Sequence, residues 1–323
     1  MIPPSILIVT PYAAAANNGN VRTAQRWADL IAPHYRVIVR TPADGMPDAD
    51  VLIALHARRG HPALLEWRRR DVSKPAIVAL TGTDLYHDVP VHDAAALESL
   101  TLADRLIVLQ ERGIAALPEA FRNKAHAIFQ SAPPLPPYRK TSRRLRVLFV
   151  GHLREEKDPF TFIRAAAALR PRRSIEFLLA GGLRDSAMEV PLRALLAEAP
   201  NVHMLGALDH RSTRERIRRA HLLVVPSRME GGANVIVEAV VSGTPVLASD
   251  CDGNIGMLGE DYAGYFSVGD PHALARLVAR CRTEPTFLQH LADQCRARAP
   301  LFRPDTERSG LLSVVAPLVA IRA

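Results

Sequence analysis

The chain has 323 residues, 48% hydrophobic and 23% charged, which are the proportions of a globular enzyme and more chain than one hydrophobic core usually organises. Its net charge of +8 is spread rather than gathered in an arm: residues 1–140 hold 16 Lys+Arg against 13 Asp+Glu, and the remainder 25 against 20. Nucleic-acid binding needs a basic face on a recognisable module, and no such module is present; the positive field suits small anionic substrates, or weak attraction to an acidic membrane surface.

The three cysteines (Cys251, Cys281, Cys295) show neither C-x-x-C nor metal-ligand spacing, which points to a reducing, cytoplasmic compartment and no structural zinc. Residues 6–9 followed by Ala13–Ala16 mimic a signal peptide. A basic start is missing and Pro3, Pro4 and Pro11 interrupt the run, so it reads as a first strand. No stretch reaches the roughly 18 uninterrupted apolar residues of a membrane span.

Short β-branched runs then alternate with helical patterns, as in parallel βα units. The first half predicts strands at 6–9, 37–40, 51–55, 76–80, 105–109 and 125–129, with helices at 21–32, 62–70, 92–100 and 111–117. Pro133-Pro134-Leu135-Pro136-Pro137 can be neither helix nor central strand and reads as a stiff linker. The basic stretch behind it (Arg139, Lys140, Arg143, Arg144, Arg146) reads as a solvated linker edge rather than a binding patch. The alternation restarts with strands at 146–150, 175–180, 202–205, 222–225, 246–248 and 264–266 and helices at 160–169, 187–198, 213–219, 234–242, 272–282 and 286–299. This predicts an α/β chain of two doubly wound, Rossmann-like domains, 1–138 and 139–305, facing across a cleft. The apolar segment 306–323 needs a partner surface and is expected to cross back to the first domain.

The segment carrying most chemistry runs from Pro226 to Val246. A buried strand ends at Pro226, and Gly231-Gly232 opens a helix whose free N–H groups can receive an anion. Glu230 precedes that helix. Glu238 lies about one turn inside it on an apolar stretch, either as a solvated residue or accepting hydrogen bonds from sugar hydroxyls.

Glu230-Gly231-Gly232-Ala233-Asn234-Val235-Ile236-Val237-Glu238-Ala239, followed by Gly243-Thr244-Pro245-Val246, resembles the E-x7-E motif of family-4-type retaining glycosyltransferases of the GT-B fold. The resemblance implies that Glu230 touches the donor sugar, Glu238 the ribose hydroxyls, and the backbone at 231–234 the sugar and diphosphate. Gly151-His152-Leu153-Arg154-Glu155-Glu156-Lys157-Asp158 is similar to the family's Gly-Arg-Leu and Lys-Gly stretch, whose Arg and Lys neutralise the diphosphate. Lys157 matches. His152 replaces the Arg and Asp158 the Gly, and Arg154 is the candidate to supply the missing cation; the alternative for Lys157 and Arg154 is a solvated loop. A third match covers Asp252–Met257 and Gly269–Leu274. The same resemblance implies no metal and no cofactor, so Asp48-Ala49-Asp50 and Asp250-Cys251-Asp252, which satisfy D-x-D, read as turn caps.

The first domain is then expected to hold the acceptor. Asn18, Gly19 and Asn20 with Arg22 supply donors after the first strand, and His56, Arg58 and Arg59 concentrate cations after another. Asp84, after a third, is placed to face the anomeric centre, unless it does ordinary βα-loop work. Asn17–Asn20, Ala54–Arg59, Leu80–Tyr86, Ala103–Glu111 and Gln130-Ser131-Ala132 together resemble the selenosugar synthases of selenoneine biosynthesis. That resemblance implies transfer from a UDP-sugar, UDP-N-acetylglucosamine foremost, to selenophosphate. The rivals are transfer to a lipid, polysaccharide or other hydroxyl acceptor, and nucleotide-sugar binding without turnover. A dehydrogenase is disfavoured because no G-x-G-x-x-G follows 6–9 or 147–150.

Overall fold

The computed structural model describes residues 3–12 and 19–320. The chain divides into one compact unit of Met1–Ser131 with Leu301–Ala323 and a second of Ala132–Pro300.

In the first unit, β1 (Ser5–Val9), β2 (Arg36–Arg40), β3 (Val51–Leu55), β4 (Ala76–Ala79), β5 (Arg105–Val108) and β6 (Ala125–Ala127) form a parallel sheet in the order β2-β1-β3-β4-β5-β6. Its helices are α1 (Gly19–Ile31), α2 (Ala57–Arg70), α3 (Ala94–Leu102), α4 (Arg112–Ala116) and α5 (Glu119–Arg122). Alternate strand residues feed two cores, because successive side chains point to opposite faces. Leu7, Leu52, Val78 and Leu106 pack on one side with Leu64 and Trp67 of α2. Ile6, Ile53, Ile77 and Ile107 pack on the other with Trp27 of α1 and with Leu311, Val314 and Leu318 of the last helix, Pro304–Ala320. The apolar C-terminal segment thus finds its surface in the first unit. Its Glu307 is buried and accepts from Arg26 Nε (2.9 Å), Trp27 Nε1 (2.7 Å), Ser131 N (2.8 Å) and Ser131 Oγ (2.5 Å).

The second unit repeats the plan. Strands β7 (Leu145–Val150), β8 (Ile175–Ala180), β9 (Val202–Gly206), β10 (Leu222–Val225), β11 (Val246–Ser249) and β12 (Tyr265–Phe266) are parallel in the order β12-β11-β10-β7-β8-β9. The helices are α6 (Pro159–Ala168), α7 (Glu189–Glu198), α8 (His210–Arg219), α9 (Asn234–Val241), α10 (Asp252–Leu258), α11 (Pro271–Thr283) and α12 (Pro285–Arg298), leaving Pro304–Ala320 as α13. Two parallel six-stranded sheets are therefore present. In each, strand order reverses beside the first strand, between β1 and β3 and between β7 and β10, the switch points at which open α/β sheets bind ligands.

The proline run belongs to the second unit and is fastened there: Arg214 Nη2 donates to Pro133 O (2.6 Å) and Arg218 Nη1 to Pro136 O (3.1 Å). Asp50 receives Ser5 N (2.7 Å), Asp48 pairs with Lys74, and Asp250 receives Val268 N (2.9 Å), so these D-x-D carboxylates hold backbone and side chains in place. Among the described residues no cluster of His, Cys, Asp and Glu is arranged to hold a metal ion, and no helix is long and apolar enough to cross a membrane.

Candidate active site

The two loops flanking the β7/β10 switch point are tied to each other. After β7, residues Glu155–Lys157 make a single 3-10 turn, and Asp158 follows at φ 43°, ψ 57° as the N-cap of α6. This is the position where the resembled family has glycine. Asp tolerates the left-handed region better than most residues, and here its carboxylate also accepts from Thr161 N (3.2 Å) and Thr161 Oγ1 (2.8 Å). The substitution therefore preserves the turn. After β10, Arg228 N donates to Glu156 O (2.9 Å), and the Arg228 guanidinium lies 3.7 Å from Asp158.

Across this seam Lys157 Nζ donates to Glu230 Oε1 at 2.6 Å. Ser227 Oγ donates to the same oxygen at 2.6 Å, and Glu230 is only 7% exposed. The sequence-predicted pair of cation and glutamate is thus brought together, while Ser227 and Arg228 were not foreseen. Gly151 N donates to Ala180 O (3.0 Å) at the base of the first loop, and His152 beside it is half-buried. Arg154 is not joined to the pair: its side chain is 45% exposed and its Nε lies 3.7 Å from Glu156.

Behind Glu230 stands α10. A Cβ on Gly253 would meet Glu230 O at 1.8 Å, so only glycine allows the helix start to lie against the loop. Gly253→Ala is expected to displace Glu230 and lower turnover at least tenfold while the protein stays folded. Kinetics alongside thermal unfolding would check it; normal turnover in a folded variant would show that the loop tolerates displacement. Burial pushes the neighbouring Cys251 thiol up to about 11, so it offers no thiolate nucleophile at neutral pH.

Gly231, Gly232 and Ala233 lead into α9, whose N-cap Ala233 has no side-chain oxygen to cap the first turn and whose first residue is Asn234. An anion can serve in place of that cap. One turn on, Glu238 is buried among Ile236, Val237, Ala239 and Val240, and His210 Nε2 of α8 lies 2.7 Å from its Oε1. Nothing in the sequence links His210 to Glu238, 28 positions away; only the packing of α8 on α9 does.

In the first unit the residues are distributed differently from the expectation. Asp84 has no exposed surface, and its oxygens accept from Ala57 N (2.9 Å), Thr81 N (2.9 Å), Gly82 N (2.8 Å) and Leu85 N (3.1 Å). It is the buried anchor of its loop, not a carboxylate presented to a ligand. His56 is also buried, at φ 73° as the N-cap of α2, with Nδ1 accepting from Arg59 N (3.3 Å) and lying 3.8 Å from Asp84. Arg58 and Arg59 are exposed in the first turn of α2. Arg58 pairs with Asp93 (3.1 Å) and Asp88 (3.5 Å), and the Arg59 guanidinium lies 5.1 Å from the Tyr12 ring centre. Gly19, Asn20 and Arg22 open α1, while Asn18 lies outside the described residues.

The family described as "Glycosyl transferases group 1" matches residues 136–299. D-inositol 3-phosphate glycosyltransferase of Salinispora arenicola is 31% identical over 210 residues, covering 62% of this chain and 46% of that protein. Its counterpart from Nocardia farcinica is 36% identical over 115 residues, covering 33% and 26%. The chain therefore matches less than half the length of these relatives. Among solved structures, sucrose-phosphate synthase from Thermosynechococcus elongatus superposes with a TM-score of 0.79 at 18% identity, over 98% of this chain and 100% of that one. Anabaena Alr3699/HepE superposes at 0.73 and 16% identity, over 97% and 100%. At such identities these two speak for the GT-B fold alone.

Proposed function

Since the chain belongs to the group 1 glycosyl transferases, we propose that it transfers a sugar, with retention, from a UDP-sugar held by its second unit to a small phosphate-bearing acceptor. The observation that carries this reading is the Lys157–Glu230 pair, 2.6 Å apart at the switch point of the sheet. A lone ammonium there would attract any anion. One held against a buried carboxylate provides, side by side, a cation for a departing diphosphate and an acceptor for sugar hydroxyls. Glu238, a turn inside α9, is positioned in the sequence for the ribose. The Anabaena Alr3699/HepE structure contains UDP and glucose, which supports a uridine diphosphate donor.

In this scheme the bond from anomeric carbon to diphosphate breaks as the acceptor attacks, and UDP leaves with the bonding electron pair. Lys157 accompanies the growing charge on the β-phosphate. For the acceptor we favour selenophosphate with UDP-N-acetylglucosamine as donor: selenium takes the anomeric carbon, and loss of the phosphoryl group to water leaves a 1-seleno sugar. The N-terminal strings support this choice, and a selenium nucleophile ionised at neutral pH needs no general base. Arg58, Arg59 and Arg22 are the candidates for its phosphoryl group. A second reading, transfer to the hydroxyl of a phosphorylated polyol, is favoured by the D-inositol 3-phosphate glycosyltransferases among the relatives.

The test is incubation with a panel of UDP-sugars and either selenophosphate or inositol phosphate, with products read by mass spectrometry. A seleno sugar is the expected product. An inositol glycoside would select the second reading, and no UDP release with any pair would refute both. We also expect EDTA to leave turnover unchanged; loss on chelation with recovery on adding magnesium or manganese would show that a metal takes part.

A further inference from the structure

Glu238 is held by a residue that neither the sequence nor the family assignment points to. We infer that His210 is a positioning residue: it fixes the Glu238 carboxylate in the plane a ribose diol requires, and so makes the site select ribonucleotides over 2′-deoxyribonucleotides. The inference rests on the nucleotide-sugar reading above.

A carboxylate turns easily about its last torsion, so burying Glu238 in α9 fixes the position of the group without fixing its plane. An ionised carboxylate has no hydrogen to give, so in the 2.7 Å contact His210 Nε2–H donates to Glu238 Oε1. That bond restricts the plane. His210 itself is well placed to be a fixed point. It opens α8, whose first turn is capped by Asp209 accepting from Ser212 N (2.8 Å) and Ser212 Oγ (2.9 Å). Its side chain is 51% exposed and so adds little to the core, which leaves the contact with Glu238 as its main structural consequence. Arg214, one turn further along α8, also feels the Glu238 charge, but its guanidinium is committed to Pro133 O at 2.6 Å. It supplies field rather than an oriented bond.

Calorimetric titration of UDP and 2′-deoxyuridine diphosphate into the protein and its variants tests this. Wild type should prefer UDP by about tenfold, the usual worth of one good hydrogen bond. His210→Ala should weaken UDP by about tenfold and the deoxynucleotide by less than about twofold, removing the preference. His210→Gln, which keeps an N–H donor at similar reach, should recover most of the loss. In a Glu238→Ala background, His210→Ala should have no further effect. Donor KM should rise while kcat stays, the sign of lost uniform binding. Equal weakening of both nucleotides, an undiminished effect without Glu238, or unchanged UDP affinity in folded His210→Ala would each overturn the proposal. Failure of wild type to bind UDP at all would instead overturn the nucleotide reading beneath it.

Discussion

Lys157→Ala is expected to lower kcat by about 10²–10³ with a smaller change in donor KM, using the cost of removing one preorganised donor at a developing charge as the guide. The ammonium interacts more strongly with the diphosphate as it departs than with the intact donor, which is why the loss falls on kcat. The structure adds a complication. Glu230 is buried, and without Lys157 it keeps the Ser227 hydroxyl but no cation at that oxygen, so the variant leaves an acidic group poorly compensated. Lys157→Met with Glu230→Gln removes that charge imbalance. If Glu230→Gln alone turns over and adding Lys157→Met to it still lowers kcat in a folded protein, the leaving-group role of Lys157 stands. A single variant with normal kcat and only a raised KM would mean that Lys157 binds donor equally in ground and transition states. Arg154→Ala is expected to cost far less, because Arg154 is exposed and paired with Glu156.

The second large effect concerns stability. Glu307→Ala is expected to destabilise the first unit by about 3–5 kcal/mol, the cost of breaking a buried charged network by deleting one partner. Trp27 Nε1 and Ser131 N and Oγ would lose their acceptor inside the core, and the Arg26 guanidinium its counter-ion. Urea unfolding of wild type, Glu307→Ala and Arg26→Ala would measure it. Arg26→Ala should cost less, because the carboxylate then keeps three donors. A Glu307→Ala loss below about 1 kcal/mol would mean that the carboxylate contributes no more than an exposed pair.

The strands were legible because parallel strands buried on both faces are continuous apolar runs. Val51–Leu55, Ile175–Ala180 and Leu222–Val225 fall where such runs stand. The motif loops were legible too, since their side chains are constrained by spacing. Three things were not. The Asp84 loop is π-helical from Asp84 to Asp88 and folds its carboxylate inward, because four amides outbid solvent for it. No composition rule distinguishes that carboxylate from one presented to a ligand. Helix starts were also displaced: α2 begins at Ala57, although Pro62 suggested a start there, because His56 caps the helix earlier and Pro62 stands inside it, in the second turn. The partnership of Glu238 with His210 was invisible because it depends on α8 packing against α9.

The first unit is discontinuous, and this has a bearing on synthesis. Residues 132–300 leave the ribosome as a complete folding unit, whereas residues 1–131 at that moment still lack the helix that covers Trp27 and the Ile6–Ile53–Ile77 face of their sheet. Until α13 emerges, the nascent chain carries an open apolar sheet face and Trp27 and Ser131 donors with no carboxylate to receive them. The half that precedes in translation is therefore the half that closes last, and its window of exposure to chaperones or to misassembly lasts for the time taken to translate the whole of the other unit.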